Sequence, residues 1–181
     1  ISEEKIMEYD VISNEIKEVD MKELKQLIER QDKSTNNVKN YNTISAYNPN
    51  SENQKLITPL SESSAQRIKN TSIYPYRTTC KVIAKNNENE DIQGTASIVG
   101  PRAALTAAHC IFDEKNGNAV YKNWTIYPGF NETSYHGTAC GFSKVYYSSK
   151  WMETHSYEYD WAICVLELDV GNQLGWFGVQ S

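Results

Sequence analysis

Leu105-Thr106-Ala107-Ala108-His109-Cys110 is the stretch on which the reading of this chain turns. A short apolar segment, Ala103–Thr106, runs into two alanines and then into an imidazole. Small side chains at 107 and 108 let the backbone turn tightly and set the imidazole against a neighbouring strand. Later in the chain, Tyr159-Asp160-Trp161-Ala162-Ile163 places an acid at the mouth of the most apolar strand candidate. Such a carboxylate must find a donor, because burying it unpaired is costly. Taken singly, both signals are weak. A lone Asp before a strand is more often a cap, and a lone His beside Ala is more often a satisfied structural residue. The other two histidines are expected to be solvated: His136 lies in a loop of Ser, Tyr and Gly, and His155 in a polar stretch.

Working outward, Arg77–Ala84 and Ile92–Val99 read as strands separated by the polar turn Lys85–Asp91. Gly100-Pro101-Arg102 turns the chain into Ala103–Thr106. Lys122–Tyr127, Gly141–Tyr147 and Trp161–Leu168 are further strands, the last with Ala162, Cys164, Leu166 and Leu168 on one face. Several short strands separated by turn signals predict an antiparallel barrel or sandwich.

The composition changes sharply upstream. Residues 1–70 contain no Gly, Cys, Trp or Phe, and their only aromatics are Tyr9, Tyr41 and Tyr47. All nine Gly and all four Cys of the 181 residues lie in 71–181, so only that part has the composition of a packed core. Residues 1–33 are charged and helix-friendly. Asp20 followed by Glu23 fits an N-cap with its reciprocal acid, and Met21, Leu24, Leu27 and Ile28 make an apolar face. A helix is predicted over about 21–31 and a weaker one over about 3–18. Residues 33–66, rich in Asn, Ser, Thr and Gln, read as a linker. With 18 basic and 23 acidic side chains, the net charge of −5 excludes the basic stripe of a nucleic-acid binder. No apolar run approaches the ~18 residues of a membrane helix, so neither nucleic acid nor membrane is an expected partner.

An imidazole N–H is the natural donor for Asp160. A carboxylate that fixes the tautomer of a His and stabilises its protonated form is the second half of a Ser-His-Asp triad. Thr106-Ala107-Ala108-His109-Cys110 followed by Tyr159-Asp160-Trp161-Ala162 resembles the chymotrypsin-fold serine peptidases. Asn70-Thr71-Ser72-Ile73-Tyr74-Pro75-Tyr76-Arg77, Tyr127-Pro128-Gly129-Phe130-Asn131 and Gly175-Trp176-Phe177-Gly178 resemble segments of its bacterial glutamyl endopeptidase branch. The resemblance covers about residues 56–181. It implies a mainly β fold: a Greek-key barrel, the N-terminal barrel of a trypsin-like two-barrel fold, preceded by a partly helical pro-segment. It also implies that His109 is general base and then general acid, and that Asp160 orients it. The order His then Asp agrees with a triad in which Ser comes last.

The nucleophile is missing. No Ser has Gly two before it and Gly directly after it. The nearest, Ser143 in Gly141-Phe142-Ser143-Lys144, falls within a strand candidate. By resemblance, the nucleophile, oxyanion hole and specificity pocket belong to a second barrel beyond Ser181. Two readings follow. Either the chain is the proenzyme's N-terminal part of a secreted serine endopeptidase, acting on peptides with its C-terminal half, possibly as a separate chain, or it is a non-catalytic protease-like module that binds a partner. Two intact triad members favour the first, though this chain alone is then inactive.

By the same resemblance, residues 1–55 are a pro-segment, 56–70 a linker or mature N-terminal region, 71–170 the barrel, and 171–181 the start of the interdomain connection. A chain opening on Ile1 is expected to be already trimmed, with activation after Lys55 or at Arg67–Ile68. In the family, a Cys following the His commonly pairs with one fifteen positions before the His, which here is Gly94. Cys110 could instead meet Cys80 or Cys140, Cys164 reads as a buried thiol, and four free thiols is an equal expectation. The scattered His and Cys lack zinc-type spacing. With no phosphate-binding glycine loop or dinucleotide fingerprint, neither metal nor cofactor is expected.

Overall fold

The structure is a computed structural model and describes residues 3–20, 22, 43–44 and 67–180. Its strands are β1 (Ile6–Asp10), β2 (Glu15–Val19), β3 (Thr43–Ile44), β4 (Thr79–Lys85), β5 (Asp91–Gly100), β6 (Ala103–Thr106), β7 (Phe112–Asp113), β8 (Ala119–Val120), β9 (Lys122–Pro128), β10 (Phe142–Ser148), β11 (Ala162–Leu166) and β12 (Val179–Gln180). The six strands expected from the sequence are present, within a few residues of their predicted bounds.

The main sheet runs β2-β1-β10-β11-β6-β5-β4-β9, with every pairing antiparallel. Its far strand curls back: Ile126 of β9 bridges Cys140, just before β10, through an N–H···O bond of 2.9 Å. The six strands from β4 to β11 in this sheet thus close into a β-barrel, as the resemblance implies. Period-2 alternation decides what lies inside. Cys80, Val82 and Ala84 of β4, Trp124 and Ile126 of β9, Val145 and Tyr147 of β10, and Ala162, Cys164 and Leu166 of β11 are all buried. Leu168, expected on the inner face of the last strand, lies past the end of β11 and is exposed. Rings fill the core, with Phe112 on Tyr147 at 4.6 Å and Trp124 stacked on Phe142 at 6.0 Å between centroids. None of the four cysteines is bridged, so neither pairing weighed for Cys110 is formed.

The N-terminal residues correct the expectation of a weak helix over 3–18. They form the β1–β2 hairpin, and β1 adds to the free edge of β10. The charged composition suits a helix, but the edge of β10 offers a row of backbone partners that a helix could not use. Pairing with it also buries Tyr9 and Val19. Asp20 does accept a hydrogen bond from the Lys22 amide at 2.7 Å, as an N-cap would. The helix expected over 21–31 and the linker over 33–66 lie outside the described residues, apart from β3, which pairs with β12.

Candidate active site

The site forms where the β6–β11 ladder ends. Thr106 faces Ala162 in that ladder. Because the strands are antiparallel, moving forward from Thr106 and backward from Ala162 brings His109 and Asp160 to the same end. Past β6 the chain stays extended at Ala107 and then makes a single 3-10 turn, Ala108–Cys110. The Cys110 amide donates to the Ala107 carbonyl at 3.1 Å, and the Ile111 amide to Ala108 at 2.8 Å. Ala108 is fully buried, so the turn is pinned to the core and the next side chain is turned outward. Before β11, a second 3-10 turn, Tyr157–Tyr159, ends on Asp160.

Asp160 holds His109 at two points. Its Oδ2 lies 2.7 Å from His109 Nδ1, and its Oδ1 accepts the His109 backbone N–H at 3.0 Å. The carboxylate side chain is only 8% exposed while the imidazole is 55% exposed. A buried acid thus fixes an open imidazole. With Nδ1–H directed at the carboxylate, the Nε2 lone pair is left toward solvent, and among the described residues Nε2 has no partner. That arrangement can accept a proton at Nε2 and stabilise the resulting imidazolium.

The other residues singled out in the sequence lie elsewhere. His155 Nε2 meets Asn118 Oδ1 at 2.8 Å at the end of the helix Ser149–Thr154, in a left-handed backbone conformation. It is exposed, as expected. His136 is half-buried rather than fully solvated, packed beside Gly129 at the turn after β9. Ser143 sits within β10 and its hydroxyl donates to the Val165 carbonyl at 3.3 Å. The hydrogen bond from the His109 amide to Asp160 has no counterpart among the sequence expectations, because a backbone donor carries no residue-type signal.

No family model matches the chain. It is 33% identical over 146 residues, 76% of its length, to a protein of Bacillus subtilis named extracellular metalloprotease, covering 45% of that protein. It is 30% identical over 112 residues, 62% of its length, to the glutamyl endopeptidase of Bacillus licheniformis, covering 33% of that protein. The chain therefore spans less than half the length of the curated relatives it matches. The first relative's name implies a metal, but among the described residues no group of three or more His, Cys, Asp or Glu is placed to hold one. Among solved structures, a Glu endopeptidase crystallised with MPD matches 61% of this chain and 49% of its own, with a TM-score of 0.54 at 22% identity. By sequence this chain resembles the bacterial glutamyl endopeptidases, and by fold it carries a chymotrypsin-type β-barrel.

Proposed function

We propose that the chain is the N-terminal part of a secreted serine endopeptidase whose nucleophile lies beyond residue 181. The observation that carries this reading is the two-point hold of Asp160 on His109. His109 Nε2 takes the proton of an incoming serine hydroxyl as its oxygen attacks the peptide carbonyl. Asp160 stabilises the imidazolium so formed. The same proton then passes from Nε2 to the leaving amine, which departs and leaves an acyl-enzyme. Water then gives up a proton to Nε2 as its oxygen attacks the acyl carbonyl, and Nε2 returns that proton to the serine oxygen as the ester bond breaks and the carboxylic acid leaves. The barrel described here contributes the base and its orienting acid. The oxyanion donors and the pocket that selects the residue before the cut fall to the missing part.

The resemblance supports cleavage after Glu and a zymogen in which residues 1–55 are the pro-segment. It also supports extracellular activity, since one relative is named extracellular. A fluorophosphonate probe tests the reading. It should label the protein encoded by the complete reading frame and leave residues 1–181 unlabelled. Labelling of the short chain would place a nucleophile within it. No labelling of the complete protein would favour the second reading, a protease-like binding module. A peptide panel tests specificity, and a preference for Lys or aromatic residues would overturn the glutamyl assignment.

A further inference from the structure

The N-terminal hairpin is joined to the barrel by three kinds of contact. The first is a backbone ladder. Residues Ile6 to Asp10 pair with Ser148 to Lys144. It extends at both ends, through Ser149 N–H to the Lys5 carbonyl at 2.8 Å and Val11 N–H to the Ser143 carbonyl at 3.0 Å. The second is apolar. Tyr9 is 6% exposed, joins the core cluster, and sets its ring edge-on to Trp124 of β9 at 6.2 Å. The third is a buried charge. Glu8 is 3% exposed. Its Oε1 takes Lys144 Nζ at 2.7 Å and its Oε2 accepts the Tyr146 hydroxyl at 2.8 Å. Lys17 of β2 stands 3.5 Å away on the same Oε1 as Lys144.

The hairpin also holds its own shape. Asp10 Oδ1 accepts the amides of Ile12 and Ser13 at 3.0 and 2.9 Å. The Tyr9 hydroxyl donates to Asn14 Oδ1 at 2.7 Å, across a turn in which Asn14 takes a φ of 58°. A unit organised by its own turn loses less entropy on docking than an extended tail would.

We infer that the edge of β10 is a strand-addition site whose occupant is the acidic hairpin 6–19 of this chain. We further infer that the hairpin remains there as a non-covalent subunit after the chain between it and the barrel is cut. The inference does not depend on the protease reading. Backbone pairing supplies affinity that is independent of side chains, as in other strand-addition complexes. Glu8, reaching across to Lys144 and Tyr146, selects the register: a slip of one residue would turn Glu8 into the core and Tyr9 out of it. Without the hairpin, β10 would expose unpaired backbone groups, a template for aggregation.

The test uses the full chain with a sequence-specific protease site substituted at residues 31–37, so that the released fragment carries the hairpin but not β3, which pairs with β12. After cutting at neutral pH and micromolar concentration, the N-terminal fragment is expected to co-elute with the barrel in size exclusion. Separate elution while the barrel keeps its circular dichroism overturns the proposal. Glu8→Ala should weaken retention about 10- to 100-fold, the range for a hydrogen-bonded charge. Ile12→Ala, at an exposed turn position, should not change it. In case Glu8→Ala cannot be cut cleanly, hydrogen exchange at the Val11 and Ser149 amides of its uncut chain reads the same docking. Faster exchange by a similar factor supports the proposal, and exchange equal to that of the unsubstituted chain overturns it.

Discussion

Gly94 of β5 lies against the sulfur of Cys110. A Cβ built on Gly94 would stand 2.8 Å from Cys110 Sγ and 3.2 Å from its Cβ. Position 94 is the one that the resemblance pairs with the Cys after the catalytic His, so the barrel keeps the geometry of that bridge with one sulfur missing. Gly94→Cys is therefore expected to form a disulfide with Cys110. The Cβ–Cβ separation is a few tenths of an ångström below the usual ~3.5–4.5 Å, and a small shift of β5 relieves it. Closing a loop of about 15 residues should stabilise the barrel by about 3 kcal/mol. Gly94→Ala sets a methyl against the same sulfur without a bond and should cost about 1–3 kcal/mol. Urea midpoints of the two variants, measured with and without reductant, are expected to move in opposite directions.

The four thiols should differ in reactivity. Burial pushes the Cys80 thiol up to about 12, holds Cys164 well above the ordinary range and raises Cys140. Only the thiolate attacks an alkylating agent. Iodoacetamide at neutral pH should thus modify the half-buried Cys110 first, and the other three only on unfolding. Peptide mapping after timed alkylation checks the order, and early modification of Cys164 would contradict the core described above.

On the proposed endopeptidase reading, Asp160→Asn in the protein encoded by the complete reading frame should leave the fold intact and lower kcat by about 10⁴-fold, because the amide would favour the wrong His109 tautomer. Active-site titration together with thermal melting separates this outcome from unfolding. A loss below about tenfold would remove Asp160 from the mechanism.

Docking of the hairpin should depend on pH through Glu8. Burial alone would push its carboxyl up. The hydrogen bonds from Lys144 and Tyr146, with the charges of Lys144 and Lys17, more than offset this and hold it below the ordinary glutamate value. A group depressed in the folded state contributes stability that is full above its unfolded value, near ~4.3, and is lost as pH falls through the lower folded value. Exchange at the Ser149 amide should therefore accelerate below that point. Asp10, which also sits near Lys144 at 3.9 Å, is likewise held below its ordinary value by the Ser13 and Ile12 amides. The diagnostic is the difference from Glu8→Gln, which should lose the Glu8 part of the acid limb.

Much of the barrel is legible in the sequence because its signals are local. Alternation along Thr79–Lys85 or Ala162–Leu166, and turn chemistry at Gly100-Pro101-Arg102, report on residues adjacent in sequence. His109 and Asp160 are legible as residue types in a recognisable order. Their distance, the shielding of one and the exposure of the other come from the β6–β11 register, which no short window contains. The N-terminal residues show the converse. Ile6–Asp10 reads as a piece of a charged helix because its partner is far away in sequence: Glu8 and Lys144 are separated by 136 positions. Local propensity is worth only tenths of a kcal/mol per residue, whereas a vacant strand edge offers a row of backbone hydrogen bonds and a core site for Tyr9. The barrel's strands, and His109 and Asp160 as a pair to look for, can be read from local sequence. That residues 6–19 extend the barrel follows from the tertiary structure alone, because edge pairing is a long-range interaction that outweighs local preference.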